Sequence, residues 1–279
     1  MSDIAYLNGE FTKLAEAFVS VEDRGFQFGD GVYEVIRVYD ATPHLLREHI
    51  NRLKLSAASI HLDDRLSYDE WESIVREGID RSGYTAAKVY IQLTRGVSPR
   101  DHRFPVTAPL TRVMTVREIE PDDLQLRETG VPAITVKDIR WNRCDIKSLN
   151  LLPNILAKQQ ATQVGAFEAL FVKGELVFEG SSSTVMVVSD GVVHTPPEGP
   201  RILSGITRDW VLNVARASEI TVVEEPVSVE TMLSAKEVLL TGTIIEIMPV
   251  VKVDEYQIGD GRPGKIYHRL YQKFLASIS

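Results

Sequence analysis

Among 279 residues there is one cysteine, Cys144. A single thiol excludes an intrachain disulfide framework and any multi-cysteine zinc or iron–sulfur centre, and it fits a reducing compartment. Long apolar runs are missing too: none reaches the length of a membrane span, and the opening Met1-Ser-Asp-Ile lacks the basic and apolar regions of a secretory leader. The six histidines (44, 49, 61, 102, 194 and 268) form no H-E-x-x-H or comparable spacing, so no metal site is expected. There is no internal repeat and no low-complexity tract. Positive charge is in deficit, 31 Lys plus Arg against 39 Asp plus Glu for a net −8, which argues against nucleic-acid and anionic-membrane partners. What is present, 44% hydrophobic and 25% charged residues, is the composition of a soluble globular protein with a full core. The reading is a cytoplasmic enzyme of about two domains at ~150 residues each.

Periodicity supplies the elements. Val32–Tyr39 is rich in β-branched and aromatic residues and reads as a strand, with Asp40-Ala-Thr-Pro43 as its turn. Leu46, Ile50, Leu53, Ala57 and Ile60 recur at helical spacing, and Ser67 with Glu70 forms a capping box ahead of a second helix. Strands are expected at 88–95 and 111–117, and then at 131–139, 169–172, 176–178, 185–188, 238–240 and 245–253. Helices are expected at 153–164, 207–217 and 264–278. Glu118-Ile-Glu-Pro-Asp-Asp123 breaks the pattern with a proline and a charge cluster. The expectation is a small N-terminal α+β domain at 1–118, a linker at 119–123 and a larger C-terminal α/β domain at 124–279.

Two apparent motifs fail on context. Gly259-Asp-Gly-Arg-Pro-Gly264-Lys265 matches G-x-G-x-x-G and most of a phosphate loop. The next residue is Ile266 rather than Ser or Thr, and too little chain follows for a nucleotide-binding unit. A surface turn with Pro263 opening the last helix is the simpler reading, and it leaves a nucleotide-binding phosphotransferase a remote alternative. Gly180-Ser-Ser-Ser183 lacks the G-x-S-x-G elbow of a nucleophilic serine and reads as a polar turn.

Four stretches carry chemistry. Glu22–Glu34 sets three glycines among aromatics just before a strand. Arg95–Pro105 holds three arginines and a histidine, and guanidinium binds carboxylate in a bidentate fork. Asp138–Asn150 places Lys147 between apolar Ile146 and Leu149, close to Arg140 and Arg143; a lysine that must act as a free amine needs burial or nearby cations. Arg201–Arg208 is a small-residue turn that opens a helix, so the N–H groups of Gly205, Ile206 and Thr207 make an anion site. Taken singly, Arg95–Pro105 reads equally well as a solvated basic loop and Arg201–Arg208 as an ordinary helix cap, and a lysine such as Lys147 is more often a solvated surface residue.

Together the four resemble one family. Glu22-Asp-Arg-Gly-Phe-Gln-Phe-Gly-Asp-Gly-Val-Tyr-Glu, Cys144-Asp-Ile-Lys-Ser-Leu-Asn, Glu179-Gly-Ser-Ser-Ser and Gly205-Ile-Thr-Arg are similar to the motifs of the fold-type IV pyridoxal-phosphate enzymes. These are the class IV aminotransferases, with branched-chain and D-amino-acid members and aminodeoxychorismate lyase as a cousin. The resemblance runs from about Tyr6 to the terminal helix. It implies a two-domain α/β and α+β fold with pyridoxal 5′-phosphate between the domains, and a homodimer whose active site is shared across the interface.

By that resemblance Lys147 is the catalytic Schiff-base lysine and then the proton carrier between the substrate Cα and the cofactor's C4′ carbon. Glu179 matches the acid beside the pyridine nitrogen, Arg52 the phosphate-binding arginine and Leu203 the leucine on the ring face. Gly205, Ile206, Thr207 and Thr243 match the remaining cofactor contacts. Thr184 stands where asparagine often follows the serine run, and Gly242 where a serine is expected; Thr241-Gly-Thr243 is nearer the branched-chain pattern. Arg100-Asp-His102 resembles the R-x-H loop of D-amino-acid aminotransferases, which with a tyrosine matching Tyr33 binds the substrate α-carboxylate. The implied activity is ping-pong transfer of an amino group from a D-amino acid (D-alanine or D-glutamate) to pyruvate or 2-oxoglutarate. A branched-chain L-amino-acid aminotransferase is the main alternative, and a lyase of the aminodeoxychorismate type a weaker one.

Overall fold

The computed structural model describes residues 2–120 and 124–278. The chain divides into two compact units, one of Met1–Pro121 with Ile146–Asn150, the other of Asp122–Asp145 with Leu151–Ser279.

The first unit holds β1 (Ile4–Leu7), β2 (Glu10–Lys13), α1 (Arg24–Phe28), β3 (Gly31–Tyr39), β4 (Thr42–Pro43), α2 (Leu46–Ser59), α3 (Tyr68–Ser82), β5 (Ala87–Thr94) and β6 (Thr111–Glu118). Its strands form one antiparallel sheet in the order β2-β1-β6-β5-β3-β4. The reading from spacing starts at Val32, but a hairpin precedes it. Asn8 and Gly9 both adopt positive φ (51° and 112°), and Asn-Gly is the dipeptide that such a turn requires. Val32, Ile36 and Val38 alternate toward α2 and α3, where Ile50, Leu53, Trp71, Val75 and Ile79 complete a core. Side chains of a strand alternate by twos, so Tyr33 and Val35 take the opposite face. At the head of α3 the Ser67–Glu70 capping box is closed by both of its hydrogen bonds.

The second unit holds α4 (Leu124–Thr129), β7 (Val131–Lys137), α5 (Leu152–Gln163), β8 (Glu168–Lys173), β9 (Leu176–Gly180), β10 (Thr184–Ser189), β11 (Val192–Thr195), α6 (Ile206–Ala217), β12 (Val222–Glu224), β13 (Val227–Ser228), α7 (Val229–Leu233), β14 (Glu237–Gly242), β15 (Glu246–Val253), β16 (Tyr256–Gln257) and α8 (Lys265–Ile278). Its sheet runs β12-β11-β10-β14-β15-β7-β8-β9-β13, with β16 beside β15. It is mixed: β11–β12, β15–β7 and β7–β8 are parallel.

One boundary corrects the sequence reading, which places all of 124–279 in the C-terminal domain. Residues 146–150, Lys147 included, pack with the first unit. Tyr33 N–H donates to the Lys147 carbonyl, Leu149 N–H donates to Gly31, and Ser148 bridges to Val32. Ile146 enters the first unit's core, a burial that contributes about 1.5–3 kcal/mol for such a side chain. Of the expected linker at 119–123, residues 121–123 lie outside the described residues. The strand expected at 131–139 stops at Lys137, because the Asp138 carboxylate turns back to accept from Arg140 N–H at 3.0 Å.

The apparent phosphate loop at 259–265 is a turn that leads into α8. Glu237 already occupies the start of that helix, accepting from Ile266 N–H and Tyr267 N–H at 2.9 and 2.8 Å. The chain's own carboxylate thus fills the position a phosphate would take.

Candidate active site

In the first unit Lys147 stands over β3. Its ammonium lies 4.4 Å from the centroid of the Tyr33 ring, and its backbone N–H donates to Ser56 Oγ on α2 at 3.2 Å. Tyr33 in turn stacks on Tyr90 at 5.8 Å. Burial and its neighbour Tyr33 push the Tyr90 hydroxyl up to about 12, so it stays protonated and donates to Gln92 at 2.7 Å.

Arg52 lies beside this group on α2. Its Nε and Nη2 donate to the two oxygens of Glu34 at 2.9 and 2.7 Å, a bidentate fork that fixes the guanidinium plane. Glu34 is wholly buried on the inward face of β3 and also faces His49 Nδ1 at 3.0 Å. Burial alone would raise the Glu34 carboxyl, but Arg52 and His49 outweigh it and hold the group well below the usual carboxylate range. Burial lowers His49, against the pull of Glu34, and the charges of Arg52 and Lys147 lower it further. Because a carboxylate can only accept, His49 presents an Nδ1–H to Glu34. Glu34 and His49 were not singled out from the sequence. The readable signal is an acid among the inward-facing residues of a strand, answered by His and Arg three residues apart on one helix.

Arg100 and His102 lie on the exposed loop after β5, and both pack on Phe28 of α1: the Arg100 guanidinium is 4.4 Å from its centroid and the His102 ring 5.5 Å.

In the second unit Glu179, next to last in β9, is nearly buried, accepting from Arg140 and, at 3.0 Å, from Leu203 N–H. Arg140 also donates to both oxygens of Asp138, at 3.0 Å each. Arg140 is buried, but the charges of Asp138 and Glu179 raise its pKa. A carboxylate held this way can accept from a protonated ring nitrogen. Asp138 and Arg140 are further residues that pattern reading did not place in the site; only their closeness to Lys147 in sequence hinted at them.

Gly205, Ile206 and Thr207 open α6, and no side chain caps that helix. Its first N–H groups can therefore hold an anion. A Cβ on Gly205 would come 2.8 Å from Thr184 Oγ1, and one on Gly242 would come 3.4 Å from the Ser182 carbonyl. Thr184 pairs with Thr241 across β10 and β14, and the Thr241 hydroxyl is buried with no hydrogen-bond partner among the described residues. Thr243 sits in the turn that follows, before β15. Uncapped helix N–H groups, a gap kept open by glycine, hydroxyls nearby and an accepting carboxylate together fit a phosphorylated, protonated heterocycle.

The serine run is explained separately: Ser181, Ser182 and Ser183 all donate to the buried carboxylate of Glu168 on β8. Three hydroxyls that clasp a carboxylate are not activated nucleophiles. Cys144 is no nucleophile either, since burial pushes its thiol up to about 11.

Known proteins resemble this chain over nearly its full length. Residues 31–253 match the family model for amino-transferase class IV. A D-alanine aminotransferase of Staphylococcus haemolyticus is 42% identical over 269 residues, which is 96% of this chain and 95% of its own. A branched-chain amino acid aminotransferase of Escherichia coli has the same fold, with TM-score 0.93 and 29% identity, over 100% of this chain and 95% of its own. A second branched-chain amino acid aminotransferase, from T.th., solved with pyridoxamine 5′-phosphate, matches with TM-score 0.92 and 27% identity, over 100% of this chain and 94% of its own. From its folded units to the motifs that line them, the chain belongs to the class IV aminotransferases.

Proposed function

We propose that this aminotransferase uses pyridoxal 5′-phosphate to move the amino group of a D-amino acid, of the D-alanine and D-glutamate class, to pyruvate or 2-oxoglutarate. The observation that carries the reading is the Lys147 amine, set over the Tyr33 ring in the unit that also holds the Arg52–Glu34 fork. When bound, the cofactor supplies a carbonyl that takes up the amino group and a ring that draws electrons from the substrate Cα. The chain's residues bind and move protons. Lys147 Nζ would carry the proton from the substrate Cα to the cofactor's C4′ carbon, and one amine over one face suffices for both transfers. Glu179, held by Arg140 and Leu203 N–H, keeps a proton on the ring nitrogen. Arg52, Thr243 and the N–H groups of Gly205, Ile206 and Thr207 neutralise the phosphate, and Leu203 packs on the ring.

Arg100, His102 and Tyr33 take the substrate carboxylate, which fixes the face of Cα that meets Lys147 and so the chirality accepted. The relative named D-alanine aminotransferase supports the D-amino-acid reading. The structural match to branched-chain enzymes and the Thr241-Gly-Thr243 turn support a second reading, branched-chain L-amino acids. We also propose a homodimer in which the Arg95–Pro105 loop serves the neighbouring copy's site. Phe104 in that loop and Val106 just after it are exposed, as are Phe18, Val21 and Phe26 elsewhere in the first unit, apolar surface suited to a second copy. A cytoplasmic location goes with this reading; no helix of the described residues is long and apolar enough to cross a membrane.

The test is the absorbance of the holoenzyme. D-alanine should remove the visible cofactor band as the pyridoxamine form accumulates, and pyruvate should restore it. A response to L-leucine with none to D-alanine would replace the proposal with the branched-chain reading.

A further inference from the structure

We infer that Asp30 is a positioning residue for the loop that carries Arg100 and His102, and that it sets substrate affinity without touching substrate. The inference rests on the reading that this loop binds the substrate carboxylate. Asp30 lies between α1 and β3, and its carboxylate accepts from two buried arginines. Arg24 Nε donates at 2.8 Å, and Arg95 donates through Nε at 2.8 Å and Nη2 at 3.0 Å. Burial works against the ionised carboxylate, but the hydrogen bonds from Arg95 and Arg24 prevail and its pKa is lowered.

Each guanidinium also meets the loop, Arg24 through a donor and Arg95 through its face. Arg24 Nη1 donates to the Asp101 carbonyl, the residue between Arg100 and His102. Arg24 also lies 4.9 Å from the centroid of Phe28, the ring that Arg100 and His102 flank. Arg95 stacks on Phe104 at 3.6 Å, at the far side of the loop. Its Nη1 and Nη2 also hold the carbonyls of His61 and Ile60, just past the end of α2. One carboxylate thus orients two guanidinium planes that grip the loop at its middle and at its far side. Without that charge both arginines keep their backbone contacts but lose their fixed orientation. Arg52 would be unaffected, because Glu34, itself held by His49, binds it independently.

The test compares wild type, Asp30→Asn, Arg100→Ala and the double variant as holoenzymes. Steady-state kcat and KM for D-alanine are measured, with cofactor affinity measured separately by fluorescence. The inference expects Asp30→Asn to raise KM about tenfold, with kcat and cofactor affinity within twofold. In the Arg100→Ala background the same change should add less than twofold, because the group it positions is gone. If Arg100→Ala raises KM and Asp30→Asn does not, or if the two effects multiply, the positioning role is overturned. A parallel fall in kcat and cofactor affinity would overturn it as well, by marking a general structural role. If Arg100→Ala leaves KM unchanged, the underlying reading of the loop fails and the inference with it. Should Asp30→Asn fail to fold, Arg24→Lys decides: it keeps a charge for Asp30 but removes the Asp101 contact, and the same rise in KM is expected.

Discussion

Replacing Glu34 by glutamine removes one buried charge and little volume. In wild type the carboxylate receives Arg52 Nε, Arg52 Nη2, His49 Nδ1 and the N–H of Val35, all within 3.0 Å. Removing one partner of a buried ion pair typically costs 3–5 kcal/mol; the glutamine oxygen still accepts, so the loss should lie near the low end, about 3 kcal/mol. At roughly 2–4 °C per kcal/mol, Tm should fall by about 6–12 °C.

The pH dependence gives a sharper criterion. The folded pKa of Glu34 is depressed from its ordinary 4.5, so its stabilising contribution is present above about pH 4.5 and is lost as pH falls toward the folded value. Each pH unit in that window removes about 1.4 kcal/mol from wild type and nothing from the variant. Urea unfolding followed by circular dichroism at pH 7 and pH 3 should therefore show the gap between the two proteins narrowing by about 2 kcal/mol. A gap that stays constant with pH, or that is below about 0.5 kcal/mol at pH 7, would refute the account of this cluster.

Two further outcomes follow from the site geometry. Arg100→Ala should lower kcat/KM for D-alanine about 10- to 100-fold, the loss of one charge-assisted contact worth ~1.5–3 kcal/mol, while cofactor affinity measured by fluorescence titration stays unchanged. Gly205→Ala places a methyl 2.8 Å from Thr184 Oγ1 at the mouth of the uncapped α6, so pyridoxal phosphate affinity should fall about tenfold, ~1.4 kcal/mol, with little change in Tm.

The sequence carried the parts of the fold that depend on local periodicity. α2, α3, β3 and β5 fall close to where apolar spacing places them, and Ser67–Glu70 forms its cap. What spacing could not carry is non-local. The segment Ile146–Asn150 joins the first unit through a bridge to β3 more than a hundred residues earlier in the chain. The hairpin at Asn8-Gly9 had its signal in the turn chemistry rather than in the strands, which are four residues each. Lys147 stood out only through its family motif, because a lysine between Ile and Leu is locally unremarkable. Glu34, His49 and Arg140 act through partners that only the fold brings near, and Asp138, though next but one to Arg140, shows no role until Arg140 meets Glu179. A buried carboxylate reveals itself in a sequence as an acid at an inward position, but its counter-charge cannot be named until the elements pack.

The central claim is that Lys147 is the residue joined to the cofactor. Borohydride treatment of the holoenzyme, followed by proteolysis and mass spectrometry, reads this directly. The account predicts one phosphopyridoxyl-modified peptide with the label on Lys147, and no label in Lys147→Ala. Stable labelling of any other lysine in wild type, or undiminished labelling of the variant, would contradict it.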